Sequence, residues 1–234
     1  MWKYALNSKV LLTLAIALCS ASTFGKEVLF AGVAFTGNAS QRELLSPWAD
    51  KLAQEKNMDN LSVLDVALRE TMQDFNSDSV RLKYEQAKDT RSGSTITLAF
   101  GLGGESVELV KIKAEVIAIY RVMTRIVVFD WASDQKKLIA SFPLQIVYQD
   151  ASAFAPTAEQ QAQVFRRLYT DTQWEGNVFQ SLKAKLEKTV IKDNYGLYMG
   201  VGKVELGAEA HALMEQAKVD PQVYTTSIAQ TLES

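Results

Sequence analysis

From Val110 to Val128 almost every even-numbered residue is apolar: Val110, Ile112, Ala114, Val116, Ala118, Tyr120, Val122, Ile126 and Val128, with Thr124 the exception. A repeat of two is the signature of a strand with one buried face, because successive side chains point to opposite sides of a sheet. Sustained for so long, it requires a long or bulged strand, or two strands in line. After the polar stretch from Ala132 to Lys136, the residues Leu138, Ala140, Phe142, Leu144, Ile146 and Tyr148 resume the alternation. The sequence therefore predicts a long hairpin over about 108–149. Pro143 has no N–H to give to a ladder, which places the returning strand at an edge. The opposite face mixes Lys111, Lys113, Glu115, Arg121 and Arg125 with Ile117, Ile119, Met123, Val127 and Phe129. That composition suits a sheet partly covered by helices or by a partner rather than a lipid-facing pore wall.

The flanking segments supply strands and helices to complete it. Glu27 to Phe35 reads as a buried opening strand, and Thr36-Gly-Asn-Ala39 turns the chain away. Ser46-Pro47 starts a helix with Trp48 and Leu52 on one face, since proline at the first helical position gives up an amide that would be unbonded anyway. Ser62 and Asp65 form a capping pair ahead of a stripe of Leu61, Leu64, Leu68, Met72 and Phe75. Val80, Leu82 and Tyr84 alternate with charge, Thr95 to Leu102 reads as another strand, and Gly101-Leu-Gly-Gly104 as a turn. Thr157 and Gln160 cap a helix that buries Val164, Phe165, Leu168 and Tyr169. A longer helix carries Trp174, Val178, Leu182, Leu186 and Val190 at four-residue steps, with Phe179 beside them. Leu197 to Leu206 reads as a late strand, and Asp220-Pro221 opens a last helix with Tyr224, Ile228 and Leu232 that meets no stop signal before Ser234. Strands interleaved with helix pairs in this order predict an α+β (mixed α/β) fold, with a central, largely antiparallel sheet and helices packed on it.

The first 25 residues form an export signal. Lys3 and Lys9 make a positive start, Val10–Leu18 is apolar apart from Thr13, and small residues follow where a peptidase would cut, after Ala21 or Gly25. A spanning helix needs roughly 20 apolar residues, more than this run provides. Residues 1–25 are thus expected to leave a single globular domain over 26–234 in the periplasm, with no integral membrane segment. Cys19 offers a lipoprotein alternative, but Leu18 before it is larger than the small residue such processing favours. Cleavage beyond Cys19 removes the one cysteine, and with it disulfide and thiol chemistry. It also removes Lys3 and Lys9, so the formal charge of −2 becomes −2 − 2 = −4, a balance that does nothing for nucleic-acid binding.

Chemistry is hard to find in what remains. The one histidine, His211, sits in Ala-Glu-Ala-His-Ala-Leu-Met and reads as a helix-surface residue. No G-x-S-x-G elbow occurs, and four nitrogen or sulfur ligands for zinc are lacking. Asp130, Asp134 and Asp150 could serve a carboxylate-dependent hydrolase or hold calcium, yet aspartate at strand ends is what turn chemistry alone predicts. Gly101-Leu-Gly-Gly104-Glu-Ser lacks the Gly-Lys-Ser/Thr ending of a phosphate loop, and Gly196, Gly200 and Gly202 miss the dinucleotide spacing. Lys183, Lys185, Lys188 and Lys192 read as a solvated helix face, with Glu187 among them. Asn38-Ala-Ser40 and Asn60-Leu-Ser62 fit the glycosylation triplet, a pattern short enough to arise by chance.

The opening strand with Val33-Ala-Phe35-Thr-Gly-Asn38-Ala-Ser40, then helices, then a meander, resembles bacterial envelope-assembly α/β domains, the TolB amino-terminal domain and the curli secretion protein CsgG among them. The resemblance covers the first strand and the order of elements, rests on no specific motif, and carries over no residue. Two consecutive helices depart from the usual strand–helix–strand alternation. The expectation is a non-catalytic periplasmic protein that binds a protein partner or itself, or assists envelope assembly. It nominates no catalytic, metal or cofactor-binding residue, no cofactor and no nucleic acid. The rivals are a carboxylate-dependent periplasmic hydrolase, in which Asp130, Asp134 or Asp150 meets another acid in a cleft, and an oligomeric outer-membrane-associated assembly that uses the hairpin.

Overall fold

Period-two patterning needs partners, and the chain supplies them by folding into a curled five-stranded sheet with helices packed on it. A computed structural model describes residues 25–36, 39–84, 96–130, 137–174, 176–192, 201–217 and 219–233. In chain order the elements are β1 (Lys26–Phe35), a 3-10 turn (Ala39–Gln41), α1 (Arg42–Leu45), α2 (Pro47–Gln54), α3 (Val63–Met72), β2 (Val80–Lys83), β3 (Ile96–Ile112), β4 (Glu115–Asp130), β5 (Lys137–Ser152), α4 (Ala158–Thr170), α5 (Val178–Glu187), α6 (Ala208–Ala217) and α7 (Pro221–Glu233). The sheet order is β2-β1-β3-β4-β5. It is mixed: β1 runs parallel to both β2 and β3, whereas β3, β4 and β5 form an antiparallel meander.

The even residues of β4 face the core, as the alternation requires. Ala118, Tyr120, Val122, Ile126 and Val128 are all buried. Thr124 is tolerated among them because its hydroxyl donates to the Leu144 carbonyl at 3.0 Å, so this buried hydroxyl is not left unbonded. The run is not one strand, however. It crosses a two-residue turn at Lys113–Ala114, closed by the pair Ile112 and Glu115. A hairpin of this kind puts Ile112 and Glu115 on one face, so Val110 and Ile112 lie on the face opposite to Ala118 and Tyr120. The alternation runs on in sequence while its meaning reverses in space.

A second correction concerns Gly101–Gly104, which forms the interior of β3 rather than a turn. The register slips between Leu102 and Gly104, the mark of a β-bulge. A side chain at Gly104 would come within 2.7 Å of the Met123 methyl, and this close approach is what the glycine permits. A comparable slip in β1, between Phe30 and Val33, contains Gly32 at φ +84.

Helices α2 to α5 cover the core face. Trp48 stacks on Phe165 at 4.0 Å between ring centroids, and Tyr120 meets Phe165 edge-on at 5.6 Å. Leu64, Leu68, Phe100, Leu168, Phe179 and Leu182 are buried with them, each contributing roughly 1.5–3 kcal/mol of apolar burial. The capping boxes Ser62–Asp65 and Thr157–Gln160 both form. Helix α5 starts later than its spacing predicts. Trp174 lies in the preceding loop and Val190 beyond the helix end, because the Asn177 side chain accepts from the N–H groups of Phe179 and Gln180 and so sets the start at Val178. Helix α7 lies against β3 and β5, the two neighbours of β4. The late strand expected over Leu197–Leu206 is absent where it is described: Val201–Leu206 joins no strand, and 197–200 lie outside the described residues.

Candidate functional site

Of the acids nominated by sequence, Asp130 and Asp150 do not meet. Asp130 ends β4, and Asp150 pairs with Ala118 on the same strand. Twelve residues separate positions 130 and 118, which at about 3.3 Å per residue is about 40 Å. Asp134 falls outside the described residues, as do residues 1–24 with Cys19, and Gly196 and Gly200. Among the described residues no cluster of three His, Cys, Asp or Glu could hold a metal ion. His211 is exposed on α6, beside a shallow hollow of about 450 Å³ that it shares with Lys203, Glu205, Pro221, Gln222 and Thr225. The lysine helix departs from a solvated face at one place: Lys183 is buried, and its ammonium reaches Asp74 after α3.

The acid that does sit at a built site is Glu105, which the sequence reading passed over. The bulge at Leu102–Gly104 shifts the pairing so that Glu105 faces Val122, and its side chain turns into the core with 3% exposure. There it meets the start of α2. The Trp48 N–H donates to Oε2 at 2.8 Å and the Ala49 N–H to Oε1 at 3.0 Å. Ser46, the residue placed to cap α2, makes no side-chain cap bond. Glu105 does that work from a distant strand, supplying negative charge where unbonded N–H groups and the helix dipole attract it. A third donor, the Tyr169 hydroxyl of α4, bonds Oε1 at 2.7 Å. Burial pushes the Glu105 carboxyl up to about 7, against these three hydrogen bonds, which favour the ionised form. Tyr169 is held well above its usual range by burial and by the neighbouring carboxyl. The three donors to Glu105 lie on α2 and α4, so the arrangement fastens β3, α2 and α4 together. The sequence signal was the Gly103-Gly104 pair directly before the acid, which marks a bulge inside a strand.

The exposed backbone of the sheet is the other candidate. Among the described residues, strand β5 has β4 as its one strand neighbour, the edge position that Pro143 predicts. Pro143 pairs with Arg125 and has no N–H, so the ladder bonds come from the even residues beside it. Gln145, Val147, Gln149 and Ala151 therefore direct N–H and C=O away from β4, and all four side chains are exposed. Farther along, Ser106–Ile112, Glu115–Ile119 and Gln149–Ser152 extend past the Glu105 anchor with mostly exposed or half-buried residues. No described helix is long and apolar enough to cross a membrane.

No protein-family model matches the chain, and no curated protein matches it. Among solved structures it is similar to a minor lipoprotein from Acinetobacter baumannii, at 12% identity over 69% of this chain and 92% of that one, with a TM-score of 0.35. A hypothetical protein from Chlamydia trachomatis gives 13% identity over 70% and 96%, with a TM-score of 0.36. Rare lipoprotein B from Shewanella oneidensis gives 14% identity over 69% and 96%, with a TM-score of 0.31. At these scores the likenesses carry no argument about activity, and the reading of this chain rests on its own residues.

Proposed function

We propose that this chain is a non-catalytic exported protein of the bacterial envelope that holds a protein partner, and that it does so along the open edge of β5. The observation that carries the reading is the row of outward N–H and C=O groups at Gln145, Val147, Gln149 and Ala151, which can accept an added strand. Two features support it. The nominated acids Asp130 and Asp150 lie at opposite ends of the meander, and the buried acid Glu105 is engaged in capping a helix. The expected export signal supplies the periplasmic location.

The test is a proline at Val147 or Gln149. Either substitution removes an outward donor and leaves the bonds to β4, which come from the even residues, in place. A photo-crosslinker at Gln145 should capture a protein in living cells, and Gln149→Pro should abolish the capture while the protein keeps its circular dichroism and thermal midpoint. Capture that survives both prolines would remove the β5 edge from the reading. An activity lost on substitution of Asp130, Asp134 or Asp150 would replace the reading by the hydrolase.

A further inference from the structure

The cover on the core face thins toward β5. On β4 the core-facing residues Ala118, Tyr120, Val122, Ile126 and Val128 are buried. On the same face of β5, Leu144 and Tyr148 flank the buried Ile146 and are themselves half-buried. Tyr148 leans on Tyr120 at 5.9 Å between ring centroids and meets Trp174 edge-on at 4.6 Å. Trp174 is half-buried too, and its backbone is held in place. Its N–H donates to the Asp171 carbonyl at 3.1 Å, and its carbonyl accepts from the Asn177 N–H at 2.9 Å. Its ring carries the Arg167 guanidinium at 4.6 Å, which also pairs with Asp171. Leu144, Tyr148 and Trp174 thus form apolar surface continuous with the core, on one side of the outward row of N–H and C=O groups.

The other side of that row is different. Gln145, Val147 and Gln149 project from the opposite face, two amides around a valine that is 47% exposed. From Gln145 to Gln149 the sequence holds no charged residue. Asp150 beyond it and the Arg167–Asp171 pair bring charge of both signs, so no net field selects a ligand here. Side chains on a strand laid along β5 come within about 5 Å of these residues and alternate between the two faces. On the core side, apolar groups gain by covering Leu144, Tyr148 and Trp174. Opposite Gln145 and Gln149, polar groups can bond the two amides, whereas apolar ones would strand them. The two faces of the edge therefore ask for different chemistry at alternate positions.

We infer that the partner of the β5 edge presents an extended, uncharged segment of about six residues with apolar and polar side chains in alternation, and that Trp174 and Tyr148 select its apolar face. The inference rests on the proposed addition of a strand along β5 and supplies the chemistry of what is added. Backbone bonds to Gln145, Val147, Gln149 and Ala151 hold any strand; the unlike faces decide which strand.

The experiment titrates two end-blocked, dye-labelled peptides of identical composition into the full protein, purified in the processed form the cell makes. One alternates valine with threonine; the other groups its valines together. Fluorescence anisotropy should show the alternating peptide binding about tenfold or more tighter, at low and at high salt alike. Gln149→Pro should abolish that binding. Trp174→Ala should remove most of the preference and Trp174→Phe should keep it, with circular dichroism unchanged. Leu144→Ala tests the same surface a second way and should lower the preference as well. Equal affinity of the two peptides overturns the inference, as does a preference that survives both Trp174→Ala and Leu144→Ala. Binding of the alternating peptide that persists in Gln149→Pro also overturns it, because the contact then lies elsewhere. If neither peptide binds while capture at Gln145 still depends on Gln149, the edge holds a partner of other chemistry and this inference falls without the reading beneath it. Capture that ignores the proline removes that reading instead.

Discussion

Tyr169 donates its hydroxyl to Oε1 of Glu105 at 2.7 Å, tying the last turn of α4 to a strand 64 residues earlier in the chain. Both groups are buried, and the same carboxylate caps α2. Removing one partner leaves the others without a match in a place that water does not reach. Tyr169→Phe should cost about 1–2 kcal/mol, and Glu105→Ala about 3 kcal/mol or more, because it leaves two backbone N–H groups and a hydroxyl unbonded. Urea unfolding of the two single variants and the double variant checks this. A double variant equal to the sum of the singles would show that the two residues are not coupled.

The carboxyl of Glu105 gives stability a pH dependence of definite sign. Its pKa is about 7 in the folded protein, raised by burial from the ordinary 4.5. The folded state therefore binds more protons than the unfolded one between these values, and stability falls as pH rises from about 4.5 to about 7, by about 3 kcal/mol in all. Glu27, Glu55 and Asp74 act in the other direction. Hydrogen bonds from Lys83, Arg166 and Lys183 hold them below the usual carboxylate range, so their contribution is present above that range and lost in acid. The two windows separate at about pH 4.5. Thermal midpoints from pH 5 to 8 should decline for the wild type and stay flat for Glu105→Gln; a wild-type curve rising over that range would contradict the assignment.

Pro143 interrupts the outward row of donors on β5. Restoring a donor there with Pro143→Val should lengthen the edge open to pairing and promote self-association. Light scattering at increasing protein concentration tests it: the wild type should keep a constant mass where the variant grows. Equal behaviour of the two would mean that the edge is shielded by something other than proline.

Lys113→Gly should raise stability by about 0.5–1 kcal/mol, since glycine occupies φ +56 without the steric penalty of a Cβ. Chemical denaturation measures the gain directly. A loss of stability on this substitution would mean that the lysine side chain makes a contact worth more than the strain.

Much of this architecture is written in short-range patterning. Both capping boxes, the stripe Leu64–Leu68–Met72, the even face of β4 and the edge position of β5 follow from spacing or from a single proline. The misses have a common cause. Period two does not report which face a residue occupies, so a two-residue turn at Lys113–Ala114 passes unseen within an unbroken alternation. Glycines in a strand look like glycines in a turn, so the pattern reads Gly101–Gly104 as a turn and gives no sign that Glu105 belongs to the core. Its three donors come from α2 and α4, fifty-six residues or more away in sequence, and no local rule brings them together.

The bulge in β3 divides that strand into two reading frames. Before it, even positions such as Leu98, Phe100 and Leu102 lie inside; after it, odd positions such as Glu105 and the half-buried Val107 face the core. A variant catalogue for this protein must therefore be interpreted with opposite parity on the two sides. Deleting Gly103 alone would close the bulge and merge the two frames with Glu105 still facing Val122, whereas removing one residue from a regular stretch of β3 would turn everything beyond it inside out, an inversion far larger than the loss of one residue suggests.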